Sequence, residues 1–137
     1  MSDRHPYYAA IESALKAAPG DQTAIALTHG RIFADQLPND PKLPAVRYAL
    51  IADTPEHRFA SGDNTTAIVQ VDVYAERSDQ RHAWDVDRAM RTALDRVNMA
   101  AEGFVNVHCM CVERGHPFAE SGYYRVKSSY RMFGSAA

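Results

Sequence analysis

Histidine and cysteine are the residues of this sequence with the most evident chemical potential. The chain has six histidines and two cysteines, and one short stretch brings together His108, Cys109, Cys111 and His116. Imidazole nitrogens and thiolates are the usual ligands of structural zinc. On a strand, however, Cys109 and Cys111 would share one face while His108 points to the other. The spacing matches neither HExxH nor CxxC, so we expect reduced, packed thiols and no metal site.

Groups that could carry out nucleophilic or acid–base catalysis are scattered. The sequence has no GxSxG, no GxGxxG and no GxxxxGK[ST], so acyl transfer and nucleotide chemistry have no support. Asp72 and Glu76 would place two carboxylates on one face of a strand, where such pairs are usually solvated or paired across strands. The sequence therefore predicts a protein with no catalytic residues and no cofactor. A small metal-dependent enzyme using His108, Cys109 and Cys111 is an alternative of another class, and a monomeric binding module is a third.

Charged side chains indicate binding rather than catalysis. The net charge is −2, from 15 basic and 17 acidic residues, which argues against a dedicated nucleic-acid binder. Arg125, Lys127 and Arg131 form a basic face on the last predicted strand. They could pair with Asp72 and Glu76 of the same sheet, meet those residues on a neighbouring subunit, or face nucleic acid. The near-zero net charge favours protein contact, and these five residues are the predicted subunit interface.

The elements that must position these residues follow from hydrophobic spacing. An apolar stripe at helical spacing predicts a first helix over residues 6–18. Residues 35–44 contain three prolines and predict an extended surface connection. Residues 46–51 predict a strand that ends at Asp53-Thr54-Pro55, and residues 56–66 predict a mobile hairpin tip.

Alternation of apolar and polar residues is clearest over 67–75, which predicts an antiparallel strand with one face on a core. A second strand is predicted over 104–113, and a last strand begins after Gly122. The link over 114–121 contains glycine and proline. The residues predicted to face the core from these three strands are Ala67, Val69, Val71, Val73, Ala75, Val105, Val107, Cys109, Cys111, Tyr124, Val126, Ser128, Tyr130 and Met132.

A long helix lies between these strands, from an N-cap at Ser78 to about Val97. Asp87 and Arg91 are spaced as an exposed ion pair on it, and so are Arg91 and Asp95. The order of elements predicts an α+β fold in which the long helix and the N-terminal helix pack on one face of an antiparallel sheet. The whole chain, 1–137, is expected to be a single domain. The predicted buried stripe of the long helix is Ala83, Val86, Met90, Ala93, Leu94 and Val97.

No apolar run is long enough to span a bilayer, and the first residues, MSDRHPYYAAIE, lack the apolar core of a signal peptide. We therefore expect no membrane partner and assembly in a cytoplasm.

Three stretches, taken in order, resemble the tail completion family of tailed phages, which includes tail terminators and tail-to-head joining proteins. The first is "ALKA" (14–17) followed by "GRIFADQLPNDPKLPAVRYALI" (30–51). The second is "AIVQVDVYAER" (67–77), and the third is "GYYRVKSSYRMF" (122–133). Together they cover nearly the whole chain, and the family has no catalytic motif to transfer to it.

The resemblance implies a structural virion protein that forms a ring, typically a hexamer, at the head-proximal end of the tail. Such a ring would terminate the tail tube, bind the tail tube protein and present a surface to the head–tail connector or stopper protein. Genomic DNA would pass through the lumen without sequence readout. A head-side closure or adaptor protein of the neck is the alternative within structural proteins.

Overall fold

A computed structural model describes residues 5–58, 62–120 and 122–136 of the chain. Within them, three helices and six strands form an α+β fold, which confirms the predicted fold class. No helix among these residues is long and apolar enough to cross a membrane. The elements are α1 (Pro6–Ala17), α2 (Ala24–Thr28), β1 (Ile32–Ala34), β2 (Ala45–Arg58), β3 (Gly62–Ala75), α3 (Gln80–Leu94), β4 (Val97–Met99), β5 (Phe104–Glu120) and β6 (Tyr123–Ala136).

The described strands form one sheet in the order β1-β2-β3-β6-β5-β4. β1 runs parallel to β2, and the other neighbouring pairs are antiparallel. β2 and β3 form one long hairpin and β5 and β6 form another, and β3 pairs with β6 at the centre. The turns of the two hairpins therefore lie at opposite ends of the sheet.

The predicted N-terminal helix over 6–18 is confirmed as α1, one residue shorter. Pro6 occupies its first turn, where a missing amide hydrogen breaks no helical hydrogen bond. His5 caps the helix, because its Nδ1 accepts a hydrogen bond from the backbone N–H of Tyr7 at 3.1 Å. The proline-containing stretch 35–44 is, as predicted, a connection without helix or strand.

The long helix is confirmed, but both of its predicted ends are wrong. Its N-cap residue is Asp79 instead of Ser78, and it ends at Leu94 instead of Val97. Arg96 has a φ of 59°, which a right-handed helix cannot accommodate. The chain therefore leaves the helix before Val97, which becomes the first residue of β4.

The core lies between the helices and one face of the sheet. Every residue of β3 predicted to face the core is buried, and α3 contributes five of the six residues predicted for its stripe. Burying each aliphatic side chain contributes roughly 1.5–3 kcal/mol. The confirmed core residues of β3 and α3 are Ala67, Val69, Val71, Val73, Ala75, Ala83, Val86, Met90, Ala93 and Leu94.

Both arms of the first hairpin are longer than predicted. β2 continues to Arg58, and β3 begins opposite it at Gly62. The predicted strand end at 53–55 is wrong, and so is the predicted loop over 56–66, except that residues 59–61 lie outside the described part of the chain. Pro55 of β2 has no N–H to donate. It is tolerated because β1 pairs only with residues 46–48 and does not extend along β2 as far as Pro55.

β5 is also longer than predicted and runs to Glu120 through the expected link 114–121. Register shifts between Cys111 and Glu113, and between Glu113 and His116, insert extra residues without ending the pairing with β6. Such β-bulges absorb residues that the regular pattern cannot place. The link prediction was therefore wrong over residues 114–120, because its glycine and proline are accommodated within an irregular strand, while residue 121 lies outside the described part of the chain.

A third register shift at the start of β5 explains another error. The alternation placed Val105 on the core face with Val107 and Cys109. Val107 and Cys109 are buried, but Val105 is 60% exposed. Because the register is irregular between Phe104 and Val107, Val105 does not follow the alternation of the later residues and is exposed.

Two side chains cap the outer edges of the sheet where the short strands end. The hydroxyl of Tyr8 accepts a hydrogen bond from Leu50 N at 2.9 Å and donates one to Asp35 Oδ1 at 2.5 Å. On the other edge, Asp95 Oδ1 accepts a hydrogen bond from Cys111 N at 2.7 Å. Each cap satisfies a backbone N–H that points away from the sheet.

Beyond these caps, β2 and β5 each have a length of edge that no other described strand pairs with. β1 pairs only with residues 46–48 of β2, and β4 pairs only with residues 107–109 of β5. We refer to residues 51–58 as the β2 edge and to residues 112–120 as the β5 edge. Each is the half of its strand next to a hairpin turn, so the two edges lie on opposite sides and near opposite ends of the sheet.

Candidate assembly surface

Four of the five predicted interface residues lie on the face of the sheet opposite the helices, here called the open face. Lys127 of β6 is directly opposite Asp72 of β3. Arg125 lies two residues before Lys127 and Arg131 four residues after it, so all three point to the same face. Glu76 follows the end of β3 and is exposed. Strand register alone thus brings together a surface rich in basic residues.

Asp72 is completely buried on this face. Gln70 Nε2 donates hydrogen bonds to its two carboxylate oxygens at 3.0 and 3.2 Å. Arg47 Nη2 lies 3.4 Å from Oδ2, and Arg125 Nη1 lies 3.5 Å from Oδ1. An isolated buried carboxylate is destabilising by several kcal/mol, and two guanidinium groups offset that cost. We refer to these four residues as the Asp72 cluster.

Arg125 is held by contacts within the subunit. Its Nε lies 2.9 Å from Glu120 Oε1, and its guanidinium carbon lies 4.5 Å from the centre of the Phe118 ring. Sequence patterning left open whether Arg125 pairs inside the sheet or with a neighbour, and the structure has the internal pair. Lys127 and Arg131 make no ion pair within the described residues, and Arg131 is exposed. A role of these basic residues in subunit contact remains a prediction.

Aromatic side chains extend the open face toward the turn between β5 and β6. The rings of Tyr74 and Tyr123 meet edge to face with centroids 5.3 Å apart. The Tyr123 hydroxyl donates a hydrogen bond to Glu120 Oε2 at 2.7 Å, which raises the pKa of Tyr123. Burial, followed by the nearby Asp72 carboxylate, raises the pKa of Tyr74. Both tyrosines therefore stay neutral at ordinary pH.

A second buried carboxylate lies on the helix side of the sheet. The predicted pair of Asp87 and Arg91 exists at 2.8 Å, but its description as exposed is wrong, since Asp87 is completely buried. Ser128 Oγ donates to Asp87 Oδ1 at 2.8 Å and accepts a hydrogen bond from Gly115 N at 2.8 Å. These four residues, the Asp87 cluster, connect α3 to β6 and to the irregular part of β5.

The second predicted ion pair on α3 has a different outcome. Asp95 accepts the hydrogen bond from Cys111 N instead of pairing with Arg91, whose Nη1 contacts Asp87. Asp95 lies just past the end of α3, which separates it from the helical spacing assumed for the pair.

Trp84 reinforces the attachment of α3 to β5. Gly115 has a φ of 30°, and a Cβ atom there would lie 2.5 Å from the Trp84 ring. Trp84 Nε1 donates a hydrogen bond to the Tyr124 hydroxyl at 3.2 Å. Only glycine allows the indole to lie this close to the backbone of β5.

The residues of the zinc hypothesis do not converge. His108 Nδ1 is hydrogen-bonded to Asn98 Oδ1 at 2.9 Å, and His116 Nε2 lies 3.1 Å from Glu113 Oε1. Burial raises the pKa of the Cys109 thiol to about 12, which opposes formation of the thiolate that a metal requires. Among the residues that the structure describes, no group of three or more histidine, cysteine, aspartate or glutamate side chains could hold a metal ion.

Comparison with known proteins gives one family and a shared fold. The family model described as "Tail completion protein gp17" matches residues 9–133. A solved chain of the "Virion of native gene transfer agent (GTA) particle" is 16% identical, with a TM-score of 0.70 and 93% of each chain covered. A second solved chain is 19% identical, with a TM-score of 0.64, covering 95% of this chain and 96% of that one. No curated protein matches the chain. At these identities the two structures establish the fold alone.

Proposed function

From the premise that this chain belongs to the tail completion protein gp17 family, we propose that it forms a ring that ends the tail tube and joins it to the head. Membership makes it a structural protein of a phage or phage-like virion tail. In the proposed ring, one side binds the tail tube protein and the other binds the connector or stopper protein. The ring is proposed to be a hexamer, and DNA passes through its lumen without base-specific contacts.

The observation that carries this proposal is the family match over 9–133, to which the open face adds physical support. The Asp72 cluster fixes two arginines internally, while Lys127 and Arg131 keep their charges available on the same face. Charges held in this way contribute little to the stability of the free subunit but can set the choice and orientation of partners.

The contact surfaces of the ring are part of the proposal. A closed ring needs two different patches on each subunit, because each copy contacts one neighbour on either side. We assign the charged patch to Glu76, Lys127 and Arg131, positioned by Asp72 and Arg125. We assign the second patch to the connection 35–44, where the exposed residues surround three prolines.

Imaging of particles that lack this protein tests the proposal. If the ring terminates the tube, deletion of the gene should give tails of uncontrolled length that do not join heads, and the wild-type gene supplied in trans should restore normal particles. Tails of normal length accumulating beside filled heads would instead show a head-side adaptor. Normal, joined particles after deletion would contradict both roles.

A further inference from the structure

Exposed apolar side chains are concentrated at the two open sheet edges. Trp84, at 37% exposure, packs against Gly115 within the β5 edge. Val105, at the other end of β5, is the one large hydrophobic side chain in this group that lies away from both edges. Within the described chain, the exposed large hydrophobic residues are Ile51 on the β2 edge, Val112 and Phe118 on the β5 edge, Trp84, and Val105.

The β5 edge is accessible from both faces of the sheet. Residues 112–119 are exposed apart from Gly115, which is half-buried. At the same time, Ser128 of the Asp87 cluster and the Trp84 ring hold the backbone at Gly115. The segment is therefore a firmly attached strand with unused surface, which is what a preorganised docking edge requires.

We propose that, in addition to the charged patch and the connection 35–44, the β5 edge of one copy packs beside the β2 edge of the next copy in the ring, an inference that rests on the proposed ring. The two edges are eight and nine residues long (51–58 and 112–120), so they match in length at about 3.3 Å per residue. β2 and β5 run in opposite directions in the sheet, so two copies in the same orientation present an antiparallel pair.

The positions of the two edges suit a closed assembly. They lie on opposite sides of the sheet, so each copy offers one edge to each neighbour, as a head-to-tail contact requires. They also lie near opposite ends, so joining them staggers neighbouring copies along the strands. Stagger of this kind, combined with tilted strands, is how sheets close around an axis.

The charges along the edges are complementary in this arrangement. The last residues of the β2 edge read Glu-His-Arg (56–58), and the first of the β5 edge read Val-Glu-Arg (112–114). Antiparallel alignment brings the backbones of these two segments side by side, and in the sequence each segment carries one glutamate and one arginine, so the two match in charge composition. Each edge also carries a proline, Pro55 or Pro117, which prevents a continuous hydrogen-bonded ladder. The contact is therefore made mainly by side chains, with Ile51 and Val112 toward opposite ends of the paired segment.

Three single substitutions of exposed aliphatic residues test the proposal. Ile51→Glu and Val112→Glu each place a charge in the contact, whereas Val105→Glu changes a residue that is at least as exposed but lies outside both edges. Sedimentation velocity on the full chain should show rings for wild type and Val105→Glu, and at least a roughly tenfold loss of ring for each edge variant. Circular dichroism should show all four proteins folded.

A mixture of the two edge variants gives the decisive result. Val112→Glu retains an intact β2 edge and Ile51→Glu retains an intact β5 edge, so the mixture should form dimers that cannot extend. Loss of rings in Val112→Glu but not in Ile51→Glu would overturn the proposal in favour of a contact between the β5 edge and a different surface of the neighbour. Rings in all variants would overturn the edge contact while leaving the ring. A wild-type protein that stays monomeric at every concentration, alone and with tail tubes, would overturn the ring itself.

Discussion

Two buried aspartates, one on each side of the sheet, have different roles: one holds the fold together and the other arranges charge on a surface. Asp87 lies on the buried side of α3 and makes two short contacts, 2.8 Å to Ser128 and 2.8 Å to Arg91. Asp72 lies on the open face, where its contacts to Arg47 and Arg125 are 3.4 and 3.5 Å. Both carboxylates are fully buried.

The difference lies in what each carboxylate connects. Besides the neighbouring Arg91 on its own helix, Asp87 binds Ser128 of β6, which in turn binds Gly115 of β5, so this cluster joins a helix to two strands that only the tertiary fold brings together. Asp72 connects neighbouring positions of three adjacent strands, which backbone pairing already aligns, and its arginines are partly exposed. We infer that the Asp87 cluster mainly stabilises the fold, whereas the Asp72 cluster mainly arranges charge on a surface.

Asp87→Ala should have the largest effect on stability. It leaves Ser128 Oγ without its acceptor and removes the counter-charge of Arg91, and breaking a buried ionic network typically costs about 3 kcal/mol. Urea unfolding followed by circular dichroism would measure the loss. Asp85→Ala on the same helix is the matched control and should cost less than about 1 kcal/mol. Equal losses of unfolding free energy in the two variants would show that the Asp87 cluster contributes no more to stability than an ordinary aspartate on the same helix.

Asp72→Asn should cost less, about 1–2 kcal/mol, because the amide keeps the shape and Arg47 and Arg125 retain access to water. The same unfolding experiment applies. The comparison fails if this substitution destabilises the protein more than Asp87→Ala, since the open face would then be the more important support of the fold.

Alkaline titration should distinguish the two sites through the tyrosines beside them. Burial and then Asp87 raise the pKa of Tyr130, and burial and then Asp72 raise the pKa of Tyr74. A folded-state pKa above the unfolded value of 10.0 means that the folded protein holds the proton more tightly. The associated stability is complete below pH 10 and is lost as the pH rises through the raised pKa, at no more than about 1.4 kcal/mol per pH unit for each group.

Tyr7 should contribute to the same alkaline loss, because burial raises its pKa to about 12. The absorbance of tyrosinate between pH 9 and 12.5, recorded with the unfolding free energy, provides the measurement. Asp72→Asn should lower the pKa of Tyr74 and leave that of Tyr130 unchanged. Equal shifts of both tyrosines would indicate a global change instead of two separate sites.

Reversing the exposed charges of the open face should have the smallest effect on stability. Lys127→Glu combined with Arg131→Glu should change the unfolding free energy by less than about 0.5 kcal/mol while weakening ring formation, because exposed charges set partner choice more than stability. Arg81→Glu with Arg88→Glu makes the same charge change on exposed residues of α3 and should leave rings intact. Rings that survive the open-face reversal would remove these charges from the contact surface.

The spacing of apolar residues predicted the parts of the fold in which each side chain lies clearly either in the core or in solvent. The valines of β3 recur at every second residue, and the stripe of α3 recurs at helical spacing. These spacings predicted both the type of element and the face that is buried. The α+β arrangement followed from the order of these elements. The ends of α3, β2 and β5 were misplaced because they depend on a positive φ at Arg96 and on bulges, neither of which has a periodic signature.

Burial of the two aspartates was beyond prediction for a different reason. Asp72 alternates with valines as a solvent-facing residue should, and Asp87 has the i, i+4 spacing of a surface ion pair. Their burial depends on Arg47, Arg125 and Ser128, which lie 25, 53 and 41 residues away in the sequence and reach them only through sheet pairing. The available signal was the serine in the core-facing series of β6, since a buried hydroxyl requires a partner.

The position of Trp84 gives the protein a built-in optical reporter. It is the chain's only tryptophan, and its ring is partly exposed at the junction of α3 with β5. Emission from a partly hydrated indole moves to shorter wavelength when water is displaced from the ring. Fluorescence of the unlabelled protein can therefore follow a neighbour's approach to this one junction in real time, without any added dye.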